Sequence, residues 1–148
     1  MQIVNKFLYN KALKLATKAH KGQKRWNGDD YITHPIRIAD CFIDYKLKII
    51  AILHDVIEDT DVTARDLIKY FSKEIVNAVI VLTQREPYAN YIYNVKRLSS
   101  DACKVKIQDL IDNLEDLKLG HHRDKYELAL FYLRSWDENK KRFCKQLQ

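Results

Sequence analysis

Apolar residues recur along this chain at the three- and four-residue spacing of helix faces. Ile3, Val4, Phe7, Leu8, Ala12, Leu15 and Ala16 mark a first amphipathic helix that ends near His20. A loop rich in glycine, asparagine and aspartate follows over residues 21–31. Pro35 suits the first turn of the next helix, where its missing N–H costs nothing, and that helix runs to about Asp44. A third helix is predicted over roughly 47–58. Thr63 and Asp66 form a capping box for a short helix through Tyr70. Ser72 caps a helix over 73–82, Pro87 opens another to about Leu98, and Ser99 or Ser100 caps one over 101–117. Gly120 ends that helix, and a last amphipathic helix covers 124–145. Three glycines and two prolines leave this periodicity largely uninterrupted. The pattern therefore predicts an all-α, single compact bundle of about eight helices, with no strand, repeat or linker.

At 148 residues the chain suits one domain with one core, spanning 1–148. Apolar residues make up 47% and charged residues 31%, the balance of an ordinary soluble protein. No apolar run reaches the length of a membrane span, and the first ten residues lack the apolar core of a signal peptide. Cys41, Cys103 and Cys144 are odd in number and widely spaced, which predicts neither a disulfide framework nor a cysteine zinc site. A reducing, cytoplasmic setting follows. The net charge of +6 favours an anionic partner such as a nucleotide or polyphosphate, although many soluble proteins are as basic. Nucleic acid is disfavoured, because no arginine–glycine tract or DNA-reading motif is present. Lys140, Lys141 and Arg142 read as a solvated helix end.

Candidate chemistry concentrates in Leu53-His54-Asp55-Val56-Ile57-Glu58-Asp59-Thr60. On a continuous helix His54 aligns with Glu58, and Asp55 with Asp59. The flanking residues are apolar, from Ile49 to Leu53 and at Val56 and Ile57. Polar groups on a buried helix need partners, and a metal ion with a reacting water is the simplest one. Asp109, Asp112, Asn113 and Asp116 form a second stripe at i, i+3, i+4 and i+7. Asp112, Glu115 and Asp116 read as a solvated acidic face. Asp109 reads as part of the site, because His54 and Asp55 alone fall short of the three or four ligands a metal needs. His34, at the mouth of a helix after a polar loop, is a further ligand candidate. His20 reads as structural, and His121 and His122 as members of a surface loop beside Gly120. Tyr88, Tyr91 and Tyr93 with Lys96 and Arg97 read as a half-buried helix face, the alternative being a nucleotide-pocket wall.

Four segments in order carry a resemblance: Ala19-His20-Lys21-Gly22-Gln23-Lys24-Arg25, the stretch from Asn27 to Pro35 ending Tyr31-Ile32-Thr33-His34-Pro35, the stretch from Ala51 to Thr60, and Lys106-Ile107-Gln108-Asp109-Leu110-Ile111-Asp112-Asn113-Leu114. Together, within residues 15–117, they resemble the HD-domain metal-dependent phosphohydrolases. Among these the chain is similar to RelA/SpoT-type hydrolase domains and stand-alone small alarmone hydrolases. The resemblance implies an all-α HD-domain bundle and a divalent metal, usually manganese, held by His34, His54, Asp55 and Asp109. Two imidazoles and two carboxylates also suit Fe2+ or Zn2+. It implies Glu58 and Asp59 beside the reacting water as acid–base groups, and Arg25 and Asn113 on the substrate. Lys21 and Lys24 are further phosphate candidates, and Trp26 can stack on a base or simply pack.

Carried over, the reaction is removal of the 3′-pyrophosphate from guanosine tetra- or pentaphosphate (ppGpp or pppGpp), giving GDP or GTP and pyrophosphate. Trp26 stands where the family usually has a basic residue. Leu110, Asp112 and Glu115 stand where the long enzymes commonly have Arg, His and Arg. The alternative is an HD phosphohydrolase acting on another nucleotide phosphate ester: an adenosine alarmone, a 5′-nucleotide or a 3′-phosphorylated nucleotide. Either way the expected partner is a small-molecule nucleotide, with no membrane.

Overall fold

The computed structural model describes residues 4–117 and 120–146, with side chains through Ser135. Among the described residues there are nine helices and no strand: α1 (Lys6–Ala19), α2 (Thr33–Asp40), α3 (Tyr45–Leu53), α4 (Val56–Asp59), α5 (Ala64–Leu67), α6 (Lys73–Leu82), α7 (Tyr88–Leu98), α8 (Ser100–Asp116) and α9 (His121–Gln146). The all-α fold agrees with the periodicity. The helix count exceeds the expected eight because the segment over 47–58 is two helices, broken at His54 and Asp55.

α3 forms the centre. Ile49, Ile50, Ala51, Ile52 and Leu53 are fully buried, and a helix apolar on every side must be covered on every side. α1, α2, α6 and α8 supply that cover. α6 contributes Ile75, Val76, Val79 and Leu82, and α8 contributes Ala102, Val105 and Leu110. α9 lies against α8 and α7 through Ala129 and Leu133. Truncating a centre residue, such as Ile52→Ala, costs about 2–5 kcal/mol for lost burial plus the cavity left behind.

The helix starts follow the sequence cues. Asn5 accepts from the backbone N–H groups of Phe7 and Leu8, Asp44 from Lys46, Ser72 from Ile75 and Ser99 from Ala102. Thr63 and Asp66 complete the predicted capping box. Several boundaries differ from expectation. α1 begins after the Asn5 cap, Ile3 lies outside the described residues, and Phe7 is 76% exposed, off the buried stripe of Leu8, Ala12 and Ala16. α2 stops at Asp40, because Asp44 caps α3 instead of ending α2. His121 and His122 open α9 rather than lying in a loop, and both are exposed.

The loop over 21–31 is a compact turn with one antiparallel bridge, Lys24 to Asp30. The Arg25 N–H donates to the Asp29 carbonyl at 2.9 Å, and the Tyr31 N–H donates to the Gln23 carbonyl at 3.0 Å. Gly28 makes the reversal at φ 91, a conformation side-chain-bearing residues rarely adopt. The turn buries Arg25 and leaves Lys24 and Trp26 at the rim. No helix among the described residues is long and apolar enough to cross a membrane.

Candidate functional site

The break between α3 and α4 builds the site. Neighbours in a continuous helix point about 100° apart, so His54 and Asp55 would diverge. Here the ladder ends at Leu53, and the Ala51 carbonyl accepts from His54 Nδ1 at 2.7 Å. Asp55 sits at φ −103, ψ −5, and its carbonyl accepts the Asp59 N–H at 2.9 Å to start the single turn of α4. The two side chains thereby converge, with His54 Nε2 2.8 Å from Asp55 Oδ2.

α2 and α8 complete the cluster. His34 Nε2 lies 3.0 Å from Asp109 Oδ1 and 3.9 Å from Asp55 Oδ2. His54 Nε2 lies 3.6 Å from Asp109 Oδ1. Each ring has its tautomer set from behind. His34 Nδ1 meets the Asp112 carboxylate at 2.6 Å, and His54 Nδ1 meets the Ala51 carbonyl, both of which only accept. Each Nδ1 must donate, so each neutral ring turns a lone pair inward from Nε2.

This donor set fits a metal. The Nε2 atom of His54 is buried with no hydrogen-bond partner. With both rings neutral, lone pairs from two rings and two carboxylates face one another, an arrangement that a proton on His54 or a metal ion relieves. Ligands about 2.0–2.2 Å from one centre lie roughly 3 Å apart at right angles; two pairs here stand at 2.8 and 3.0 Å and two at 3.6 and 3.9 Å. His34, His54 and Asp109 offer atoms that all lie within 4.8 Å of one another, and all three are buried.

The charges around the cluster are steep. Burial raises the Asp109 carboxyl, but Lys106 and the two histidines outweigh it and hold it well below the usual carboxylate range. Asp55 is likewise held low, with burial opposed by His54. Burial lowers His54, and the neighbouring Asp55 and Asp109 push it well above its ordinary value. Lys106 Nζ donates to Asp109 Oδ2 at 2.7 Å and Asn113 Nδ2 to Asp109 Oδ1 at 2.8 Å. The Tyr31 hydroxyl donates to Asp55 Oδ2 at 2.5 Å and lies 3.3 Å from Asp59 Oδ2, while its ring packs 4.7 Å from His20.

Glu58 and Asp59 flank the cluster at the exposed end of α4. Both carboxyls are raised, first by burial and then by the charge of Asp55. The Gln84 N–H fixes Glu58 Oε2 at 2.7 Å and partly opposes its rise. These groups open into a pocket of about 210 Å3 whose walls include Lys24, Arg25, Trp26 and Asn113. Arg25, a buried side chain, donates to Asn113 Oδ1 at 3.1 Å and to Asp116 Oδ2 at 2.8 Å.

Of the residues singled out in the sequence, the structure brings together His34, His54, Asp55, Glu58, Asp59, Asp109, Arg25 and Asn113. Lys24 and Trp26 reach the rim, where Lys24 pairs with Asp30 at 2.6 Å. Lys21 is exposed and does not line the pocket, because the turn carries it past the mouth. Asp112 corrects the expected solvated face: it is buried, and so engaged by His34 and Arg37 that its carboxyl is held low. Asp116 is half-buried on Arg25, and only Glu115 is exposed. His20 Nδ1 meets Gln23 Oε1 at 2.7 Å, and His20 does not line the pocket.

The tyrosine segment divides. Tyr88 lines the pocket, Tyr91 is buried with its hydroxyl on the Leu82 carbonyl, and Tyr93 is exposed. Lys96 donates to the Tyr132 carbonyl, and Arg97 lies over Tyr93, neither of them in the pocket. Sequence reasoning gave no role to Tyr31, Lys106, Gln84, Lys125 or Tyr126, all of which line the site. One signal was present for Lys106: it stands three residues before Asp109, on the same helix face.

No family model matches the chain. It is 33% identical over 141 residues to a GTP pyrophosphokinase rsh of Brucella melitensis, an alignment covering 86% of this chain and 19% of that protein. It is 35% identical over 94 residues to a guanosine-3′,5′-bis(diphosphate) 3′-pyrophosphohydrolase of Borreliella burgdorferi, covering 61% of this chain and 14% of that one. A bifunctional (p)ppGpp synthase/hydrolase SpoT of Escherichia coli is 42% identical over 69 residues, covering 44% of this chain and 10% of that protein. The chain thus spans less than a fifth of the length of these curated relatives. A solved structure of a metazoan ortholog of SpoT that hydrolyzes ppGpp superposes with a TM-score of 0.70 at 23% identity, covering 92% of this chain and 98% of that one. At that identity the likeness is one of fold.

Proposed function

We propose that this chain, RelA/SpoT-hydrolase-like in sequence and HD-type in its all-α fold, removes the 3′-pyrophosphate of ppGpp or pppGpp, leaving GDP or GTP. The observation that carries the proposal is the convergence of His34, His54, Asp55 and Asp109 beside two carboxyls of raised pKa, Glu58 and Asp59. The names of two relatives point to the same substrate, and the solved structure shares the fold.

In this reading His34, His54, Asp55 and Asp109 hold a divalent ion, with Mn2+ the first choice and Fe2+ or Zn2+ compatible with the same ligands. Such an ion supplies Lewis acidity at a phosphoryl oxygen and makes a nearby water more acidic. The chain's own residues do the rest. One of Glu58 and Asp59 takes a proton from the attacking water, and the other returns one to the departing 3′ oxygen. Water adds to the phosphorus that carries the 3′ oxygen, that P–O bond breaks, and pyrophosphate leaves. Arg25 and Asn113 orient the nucleotide, Lys24 meets phosphate, and Trp26 offers a stacking face at the rim. The residues 1–148 act as one HD-type domain in a cytoplasmic setting.

One observation favours a second reading, hydrolysis of another nucleotide phosphate ester. Trp26 at the pocket rim is 63% exposed and offers a stacking face that any nucleobase can take. Anion-exchange product analysis separates the two. Purified protein with manganese is given ppGpp, its adenosine analogue and common nucleotides, with Asp55→Asn as control. Release of GDP and pyrophosphate, absent in the control, is the expected result. Cleavage elsewhere in the panel without ppGpp turnover discards the alarmone assignment.

A further inference from the structure

The strongest polar contact behind the metal cluster involves a residue that its sequence pattern marks as solvated. Asp112 Oδ2 accepts from His34 Nδ1 at 2.6 Å, and the two side chains are almost wholly buried. The same carboxylate takes a two-armed contact from Arg37, with Nε on Oδ1 at 2.7 Å and NH2 on Oδ2 at 2.9 Å. A second guanidinium, Arg25, stands 3.9 Å from Oδ2.

The geometry points to Asp112 as a positioning residue, locked by Arg37, that holds His34 in the one tautomer and orientation able to bind metal; the inference rests on the metal reading of the site above. A planar guanidinium fork fixes the plane of a carboxylate, because turning the carboxylate breaks both arms at once. With Oδ1 spent on Arg37 Nε, Oδ2 is the atom left facing the ring. It can only accept, so Nδ1 carries the proton and Nε2 keeps its lone pair toward Asp109 and Asp55. The register of two helices makes this possible. His34 and Arg37 are one turn apart on α2, Asp109 and Asp112 are one turn apart on α8, and the two pairs face each other. An ordinary core ion pair needs only Arg37 and Asp112; the third contact carries the effect to the cluster. Outer partners of this kind typically change metal affinity 10- to 100-fold.

Isothermal titration of the metal-free protein with Mn2+ tests this, together with 15N–1H spectra that read the ring tautomer of His34. Asp112→Asn is expected to weaken Mn2+ binding roughly 10- to 100-fold and to mix the His34 tautomers, with an unchanged circular-dichroism spectrum. Arg37→Met keeps the carboxylate but frees its plane, and a smaller loss in the same direction is expected. A folded Asp112→Asn protein that binds Mn2+ like the parent, or keeps a single Nδ1–H tautomer, overturns the inference. If Asp112→Asn does not fold, Arg37→Met decides, and parent-like affinity there overturns it. Failure of the parent itself to bind Mn2+, Fe2+ or Zn2+ overturns the metal reading of the whole site, and with it the inference. Parent binding with an indifferent variant removes only the role of Asp112.

Discussion

Lys106 and Asp109 form a buried ion pair one turn apart on α8, with Nζ 2.7 Å from Oδ2 and side-chain exposures of 13% and 4%. Burial disfavours the charge on Lys106, yet Asp109 holds its pKa well above the ordinary lysine value. Each charge is therefore kept in place by the other. Lys106→Met removes the lysine from the buried Asp109 and leaves its charge to Asn113 and the two histidines. Removing one partner of such a pair costs about 3–5 kcal/mol. Urea unfolding of the metal-free protein should show a loss of that order, and saturating Mn2+ should recover part of it by replacing the missing positive charge. A midpoint equal to the parent's, with the same slope, counts against the pair being held by mutual charge.

Tyr31 bridges Asp55, in the histidine–aspartate cluster, and Asp59. Its hydroxyl donates to Asp55 and lies close to Asp59, and burial first, then Asp55, keeps it protonated far above the usual tyrosine range. Tyr31→Phe retains the ring contact with His20 and removes only the donor. A hydrogen bond to a charged group contributes about 1.5–3 kcal/mol, which is roughly a 10- to 150-fold effect. Urea unfolding of the metal-free protein should show a loss of that order, and kcat should fall as Asp55 loses its tether. Parent-like kcat would show that Asp55 needs no such tether.

How far the sequence carries this site depends on how local each part is. His54, Asp55, Glu58 and Asp59 lie within six residues, so their proximity is visible in the chain itself. The capping residues Thr63, Ser72 and Ser99 are equally local and are found where expected. The break at His54 and Asp55 is less visible, because it depends on where α2 and α8 bring His34 and Asp109. Asp112 is misread for the same reason. Its partners His34 and Arg37 stand 78 and 75 residues away, and nothing in the spacing around Asp112 announces them. Lys21 fails in the opposite direction: its neighbours belong to the matched segment, yet the turn faces it outward.

Glu58 should behave differently in stability and in catalysis. Burial raises its carboxyl above the ordinary value, with Asp55 and Asp59 adding to the rise. A carboxyl raised in the folded state contributes stability that is fully present below its unfolded pKa and lost as pH rises through the folded one. The metal-free Glu58→Gln protein should therefore be more stable than the parent at neutral pH, and this advantage should vanish in acid below the ordinary glutamate range. Its turnover should fall by about 100- to 10,000-fold with metal content intact, the usual worth of general acid–base help. Melting curves from pH 3 to 8 and steady-state rates at saturating metal check the two halves separately. A stability advantage that grows as pH falls would reverse the assigned sign.

Arg25 and Asp116 make opposing predictions about substrate affinity. Arg25 is buried in the pocket wall and donates to Asn113 and Asp116. If it orients a phosphorylated nucleotide, Arg25→Ala should raise KM while leaving kcat within a few-fold. Asp116→Asn keeps the shape of the partner and removes the charge that competes for the guanidinium. That variant should lower KM for substrates rich in phosphate, and more for a tetraphosphate than for a monophosphate, because the cation loses its nearest competing charge. Added salt should narrow the difference, since the pocket mouth is open to solvent. Steady-state kinetics of both variants across the nucleotide panel, at two ionic strengths, measure this. A KM for Asp116→Asn equal to or above the parent's would mean that Asp116 aids substrate binding by orienting Arg25 and does not compete with the phosphates for it.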